Sequence, residues 1–403
     1  MTPAELSRAV LTTVRRAVDA AELAVEVPER VLVQRPPRPG CGDYATNVAL
    51  QLAGPAGRTP REVAEILRRR LAREPGIAQV RIAGAGFLNI TLSARAYGDV
   101  VRDVRAGGYG RGEGLADEQV TVAADEPTHE HADQPPGGAP TATPREPTGK
   151  APHPGLHQSP HPGPRQNPQA FAQGTNHGAL RARLTAEVVN VLLAAAGARP
   201  AAPGTPPERL TVAEPLPTDP GERDRALAAL GPDAARWALL RPPAEDTPCL
   251  TGPAAEALLV QREANPLFRI RYAHARTRAL LHNARDLGVD IFDTPDVTDG
   301  TDGTEAPRTI PYHPAETELL GLIADFPRVI ESAARRRGPD RVARHLERLA
   351  DAFFRFHDEC PPLPKGDEKP SAVHAARIGL ADVTGIVLAD GLRLLGISAP
   401  DRI

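Results

Sequence analysis

The sequence predicts an α+β domain in the first part of the chain and an all-α helical bundle in the last part. Aromatic residues make up only 3% of the 403 residues while hydrophobic residues make up 41%, so the cores are built from Leu, Val and Ala, which favours helix packing. Short alternating strands are found before residue 125. The clearest bundle helix has apolar residues spaced 4, 3, 4 and 3 apart: Val342, Leu346, Leu349, Phe353 and Phe356.

Residues 1–116 contain the predicted helices and strands of the α+β domain. A capping box of Thr59 and Glu62, with Pro60 at the first helical position, predicts the start of one helix. Strands are predicted at residues 31–33, 80–82 and 88–92, and further helices at about residues 43–52 and 95–105. The first helix is predicted from four apolar positions on one face: Leu6, Val10, Val14 and Ala17.

The middle of the chain divides into two predicted regions, followed by a helical domain at residues 221–403. Residues 117–166 begin with a strand at residues 119–123 and continue as a Pro- and Gly-rich disordered linker, because this composition cannot bury enough apolar surface. The spacing of His153, His157 and His161 suits a metal-binding helix face, but the prolines among them exclude that helix. We therefore expect no metal site and no cofactor. Residues 167–220 are predicted to form a helix at residues 178–196 and a Pro-rich segment.

Charge and cysteine usage limit the partners and the compartment. Residues 1–116 carry 17 Arg against 12 Asp and Glu, whereas residues 221–403 carry 24 basic against 28 acidic side chains. A polyanionic partner is therefore predicted for the first region. No apolar run approaches the ~20 residues of a membrane span, so we expect no membrane partner. The scattered Cys41, Cys249 and Cys360 indicate a reducing compartment, and we expect the protein in the cytoplasm.

Two groups of sequence motifs resemble the arginyl-tRNA synthetase family. Residues 42–47 read G-D-Y-A-T-N and residues 83–89 read A-G-A-G-F-L-N, and both resemble the family's N-terminal tRNA-binding domain. Residues 233–236 (D-A-A-R), 265–266 (N-P), 272–276 (Y-A-H-A-R) and 395–402 resemble its helical anticodon-binding domain, named after its D-A-L-R motif. The resemblance implies an N-terminal domain of this family's type, a DALR-type helical bundle, and a degenerate remnant of a Rossmann-like domain between them.

The region between these two domains lacks the family's catalytic motifs. The family activates its amino acid with ATP, using an H-x-G-H loop, a K-M-S-K-S-like loop and a doubly wound sheet of more than ~200 residues. Here only residues 167–220 occupy that place, and the sole methionine is the first residue, which excludes the second loop. The positions that correspond to H-x-G-H are Gln173, Gly174, Thr175 and Asn176. The resemblance thus implies a chain without catalytic residues.

Phe87 and Asn89 are the predicted tRNA contacts of the first domain. By resemblance, Phe87 would stack on an exposed base and Asn89 would hydrogen-bond the edge of that base, which is how proteins commonly recognise unpaired RNA bases. The alternative is that Phe87 is a core aromatic residue and Asn89 a turn residue. Asp43, Tyr44 and Asn47 are interpreted as structural.

Arginines recur every seven residues in the helical domain and suggest a second tRNA surface. Arg262, Arg269 and Arg276 are predicted to line one side of a single helix, and residues 271, 278 and 285 line another. Tyr272 and His274 join the first row as predicted tRNA-binding residues because they belong to the family motif. The alternative is a solvated helix face with local ion pairs. Seven acidic residues between 286 and 305 argue against RNA close by.

Three functions remain open from the sequence. The first is a catalytically inactive arginyl-tRNA synthetase-like protein that binds tRNA through its two end domains and supplies it to another enzyme. The second is a protein-interaction scaffold without an RNA ligand. The third is a residual arginine–tRNA ligase, which depends on ATP. A mobility shift with total tRNA separates the first two, and arginine-dependent pyrophosphate exchange tests the third.

Overall fold

The computed structural model describes residues 1–36, 41–125, 179–289 and 313–403. The predicted linker at residues 127–166, its three histidines and most of the acidic segment lie outside the described residues. The same is true of the four positions that replace H-x-G-H: Gln173, Gly174, Thr175 and Asn176.

In the described residues the first domain consists of a three-stranded antiparallel sheet and four helices. The strands are β1 (Tyr44–Thr46), β2 (Ile77–Ala83) and β3 (Phe87–Leu92), in the order β1-β3-β2. The helices are α1 (Pro3–Asp19), α2 (Val48–Ala53), α3 (Pro60–Leu71) and α4 (Ala94–Arg105). Leu88, Ile90 and Leu92 alternate along β3 and are buried, so the other face of the sheet is open.

Several local predictions for this domain are confirmed and two are wrong. The capping box is present, because the Thr59 hydroxyl accepts a hydrogen bond from the Glu62 N–H and the Glu62 carboxylate accepts one from the Thr59 N–H. Residues 31–33 do not form a strand; this segment joins the sheet through one bridge, between Gln34 and Ala45. The helix expected from residue 43 begins at Val48, since residues 44–46 pair with β3 instead.

The middle of the chain forms a small βαβ unit. Strand β4 (Val122–Ala124) pairs in parallel with β5 (Glu208–Leu210), and helix α5 (Leu180–Ala195) packs on β4. The helix predicted at residues 178–196 is confirmed as α5. The strand predicted at residues 119–123 corresponds to β4, which begins three residues later than predicted. Strand β5 was not predicted, because its three residues carry no alternating pattern. They form a strand because they pair with β4, a contact that the sequence does not reveal.

The helical domain contains six helices in the described residues. They are α6 (Pro220–Leu240), α7 (Pro253–Glu256), α8 (Pro266–Asp286), α9 (Pro314–Arg335), α10 (Asp340–Glu359) and α11 (Ala372–Leu394). Helix α8 begins later than predicted, because the Asn265 side chain caps the Phe268 N–H at 3.2 Å and Pro266 takes the first position. Arg262 therefore lies in the preceding loop and does not line the helix with Arg269 and Arg276.

Helix α11 corrects the expectation that no segment is apolar enough to span a membrane. Its 23 residues are long enough and apolar enough to cross a membrane, judged by length and composition alone. However, 61% of the apolar window is buried within the protein, where α11 packs against α8 and α10. This burial identifies α11 as the core helix of the bundle.

The first domain packs directly on the helical domain. Arg105 of α4 pairs with Asp382 of α11 at 3.0 Å, and the Tyr109 hydroxyl donates to the Ile323 carbonyl of α9 at 3.1 Å. Arg335, at the end of α9, donates to the Gly114 carbonyl at 2.6 Å. The two regions that resemble tRNA-binding domains are therefore held against each other by direct contacts.

Candidate nucleic-acid interface

A cavity of about 380 Å³ lies on the open face of the first domain's sheet, and we call it the sheet pocket. Its size is within the range of small-ligand sites. It combines exposed apolar groups with amide side chains and contains both predicted contacts, Phe87 and Asn89. The lining residues are Leu32, Gln34, Arg35, Pro36, Cys41, Ala45, Thr46, Asn47, Ala83, Gly84, Phe87 and Asn89.

The floor of the sheet pocket is one row of residues across the sheet. Ala45 pairs with Gln34 on one side and with Asn89 on the other, and Asn89 also pairs with Arg81. Because the short Ala45 side chain stands between two amides, space remains above it for a flat group. Amides on either side of such a space can donate and accept hydrogen bonds at the edge of a base.

Phe87 forms an exposed wall of the sheet pocket. Its side chain is 45% exposed although its neighbour Leu88 is fully buried. The preceding turn depends on Gly86, which has a φ of 148° and whose added Cβ would lie 2.9 Å from the Pro60 carbonyl oxygen. The interpretation of Phe87 as a core aromatic residue is therefore wrong, and Asn89 lies within a strand, not in a turn.

The interpretation of Asp43 and Tyr44 as structural residues is confirmed. The Asp43 carboxylate accepts a hydrogen bond from the Leu92 N–H at 2.7 Å, which ties the chain to β3. Tyr44 is 1% exposed, and its burial raises the pKa of the phenol. Asn47, in contrast, lines the sheet pocket. Sequence reasoning also missed Gln34: the apolar run at residues 31–33 suggested a strand but gave no information about which face meets a ligand.

An aromatic ladder of Phe268, Tyr272 and Phe354 lies on the surface of the helical domain. Tyr272 stacks on Phe268 with ring centroids 5.7 Å apart, and on Phe354 of α10 at 5.6 Å. The Arg269 guanidinium lies 4.7 Å from the centre of the Phe354 ring. Tyr272 remains 41% exposed, so one partly open aromatic ring is available for a stacking partner.

Ion pairs neutralise part of the predicted arginine rows. Arg269 pairs with Asp351 at 2.6 Å and Arg271 with Asp233 at 3.5 Å. Arg276 lies 3.4 Å from the His357 ring nitrogen, and no carboxylate pairs with it or with Arg262 among the described residues. The arginine rows thus combine both interpretations, because some of their members form local ion pairs and others have no carboxylate partner among the described residues.

His274 is almost fully buried, so its prediction as an RNA contact is corrected. It is 4% exposed, and its Nδ1 lies 3.0 Å from the Pro400 carbonyl oxygen. The D-A-A-R residues have a related role: the Arg236 Nε donates to the Leu395 carbonyl at 3.1 Å and Asp233 accepts from the Ser398 N–H at 3.1 Å. These motif residues fasten the segment after α11 to α6 and α8.

A second cavity, of about 480 Å³, lies where that segment meets the start of α8. Phe268 belongs both to this cavity and to the aromatic ladder, and Leu259 and Ile403 form exposed walls. Sequence reasoning missed this cavity because its residues come from four separate places: α6, the segment between α7 and α8, α8 itself, and residues 400–403.

Two family models match the chain, in the order that the motifs suggested. The Arginyl tRNA synthetase N terminal domain matches residues 7–92, and the DALR anticodon binding domain matches residues 270–403. The chain belongs to the arginyl-tRNA synthetase family. Both candidate surfaces, the sheet pocket and the aromatic ladder, lie largely within the matched residues of this family.

Arginine–tRNA ligases are similar to this chain, and some align with it over its full length. An arginine–tRNA ligase from Frankia alni is 29% identical over 578 aligned positions that cover 100% of both chains. Because this chain has 403 residues, at least 175 of those positions have no residue here. A ligase from Clavibacter sepedonicus is 40% identical over 180 residues, which cover 44% of this chain and 30% of that protein. The solved arginyl-tRNA synthetase of Plasmodium falciparum has a TM-score of 0.61 at 8% identity, covers 100% of this chain and 99% of that one, and shares the fold.

Proposed function

We propose that this chain binds tRNA through the sheet pocket and the aromatic ladder without attaching an amino acid to it. The observation that carries the proposal is the sheet pocket, in which an exposed Phe87 stands beside the amides of Gln34 and Asn89. A stacking ring beside hydrogen-bonding amides suits an unpaired base. The excess of Arg over Asp and Glu in residues 1–116 supplies attraction for the phosphates.

The βαβ unit supports the absence of amino-acid activation. In a nucleotide-binding fold, the helix N-terminus beside the carboxyl ends of parallel strands receives a phosphate. Here two N–H groups in the first turn of α5, from Arg181 and Ala182, donate to the Glu214 carboxylate at 3.2 and 3.1 Å. A carboxylate of the chain itself therefore occupies the place of an anionic ligand.

Arg181 further restrains this region. Its guanidinium is almost fully buried and donates to backbone carbonyls, including those of Leu239 at 2.9 Å, Ala213 at 2.7 Å and Pro243 at 2.7 Å. Because its hydrogen bonds go to the protein's own backbone, the Arg181 guanidinium stabilises the fold and does not serve a ligand. This favours a structural role for the βαβ unit.

A protein that holds tRNA without charging it serves a second enzyme that uses the bound tRNA. We place this activity in the cytoplasm. Because the first domain contacts the helical domain directly, both surfaces would meet one tRNA in a defined relative orientation. Such an arrangement gains affinity from simultaneous contacts without the loss of chain entropy that a flexible tether would add.

The experiment has two parts. Electrophoretic mobility shift with total tRNA at low and at moderate salt should show a retarded complex that weakens as salt rises. A protein without any retarded complex at low salt is not a tRNA binder, which favours the scaffold. Pyrophosphate exchange with arginine and ATP should stay at background level, and exchange above that level would establish a residual ligase.

A further inference from the structure

Residues 31–36 form one wall of the sheet pocket, and the helical domain holds this segment in place. Val31 and Val33 are buried whereas Leu32 is 57% exposed, so alternate residues face inwards and outwards. Leu32 and Gln34 line the sheet pocket. Within residues 31–36, backbone hydrogen bonds to the described strands are those between Gln34 and Ala45, at 2.9 and 2.6 Å.

Arg35, directly after Gln34, connects this segment to helix α9. Its Nη2 donates to the Glu318 carbonyl at 3.4 Å, and its Nε lies 3.5 Å from the Asp325 carboxylate. Arg328 of α9 binds the same carboxylate at 3.2 Å and donates to the Val33 carbonyl at 3.4 Å. About three turns of α9, from Glu318 to Arg328, therefore hold the segment on both sides of Gln34.

Gly321 makes this contact sterically possible. It lies inside α9 and is buried, and an added Cβ would overlap the Arg35 guanidinium. A glycine within a helix costs about 1 kcal/mol relative to alanine. That cost is offset here because only glycine lets the guanidinium lie against the helix backbone and reach Asp325.

We propose that Arg35, seated on Gly321 and Asp325 of the helical domain, is a positioning residue that keeps Gln34 in place for ligand binding in the sheet pocket. The helical domain thereby controls affinity at a site on the other domain. This inference rests on the proposed tRNA binding for its affinity readout, whereas the positioning itself is measurable without any ligand.

The main test substitutes Gly321→Ala in the full chain. The added methyl group displaces Arg35, so hydrogen–deuterium exchange of the free protein should accelerate at residues 31–35 and at Ala45. Binding of total tRNA should weaken about fivefold or more, a typical effect for residues that act through a shared contact. The matched control is Gly98→Ala, a helical glycine in α4 with nothing within 4 Å of an added Cβ.

A double-mutant cycle separates positioning from general damage. Arg35→Ala removes the side chain that Gly321→Ala displaces, so it should accelerate the same exchange, and Gly321→Ala should add little in that background. Exchange and affinity of Gly321→Ala equal to those of Gly98→Ala would overturn the inference, and so would fully additive effects. Should wild-type protein bind no tRNA, the proposed function fails, and the exchange data still decide whether α9 positions the segment.

Discussion

Replacing Phe87 by alanine removes the exposed ring from the sheet pocket while leaving the sheet intact. The ring is 45% exposed and its strand neighbours Leu88 and Ile90 keep their places in the core. A fully buried Phe→Ala change costs about 3–5 kcal/mol, so a ring with about half its surface in solvent costs roughly half of that. Since domains are stable by about 5–15 kcal/mol, the variant should remain folded.

The binding loss is expected to exceed what this destabilisation could cause. Base–aromatic stacking contributes about 1–3 kcal/mol per base, so Phe87→Ala should weaken tRNA binding roughly 5- to 150-fold. Fluorescence anisotropy with labelled total tRNA measures this, with thermal unfolding as the check on folding. Phe87→Trp keeps a stacking surface and should retain most of the affinity.

A matched control shortens an apolar side chain of similar exposure that lies in neither the sheet pocket nor the aromatic ladder. Val191 on α5 is 42% exposed, and Val191→Ala should bind tRNA like the wild type. If Phe87→Ala binds as tightly as Val191→Ala at both low and moderate salt, Phe87 does not stack on the ligand and the argument from the sheet pocket is refuted.

Two further predictions concern stability. Arg181→Met leaves several buried carbonyls without a donor, which should lower the free energy of unfolding by about 3 kcal/mol or more in urea titration; a loss no larger than that of the exposed Arg111→Met would contradict the role of Arg181. Burial lowers the pKa of the His345 imidazole to about 3, below its unfolded value of ~6.5, so the unfolded chain binds the extra proton between these values. Stability should therefore fall as pH decreases from 6.5, by about 1.4 kcal/mol per pH unit from this residue. His345→Phe preserves the ring contact with Phe326, whose centroid lies 5.9 Å from that of His345. This variant should flatten the dependence of Tm on pH between 6.5 and 4. Unchanged acid sensitivity would exclude His345 as its source.

The local elements of this protein follow from its sequence because their causes are local. Capping residues such as Thr59 and Asn265, and apolar spacing such as that from Val342 to Phe356, act within a few residues and are readable in one dimension. Phe87 and Asn89, in contrast, became candidates through the resemblance of residues 42–47 and 83–89 to the family's motifs. These signals were enough to predict both end domains and their order.

Long-range contacts decided what those residues do. Burial against the carbonyl of Pro400 removes His274 from the candidate site, and the start of α8 at Pro266 removes Arg262 from the row of Arg269. Gln34 entered the site only because the sheet pairs it with Ala45. Sequence periodicity reports which face of an element is apolar, but it contains no information about which neighbour covers that face. The contact between the Arg35 guanidinium and Gly321, which lies 286 residues further along the chain, therefore exists only in the folded protein.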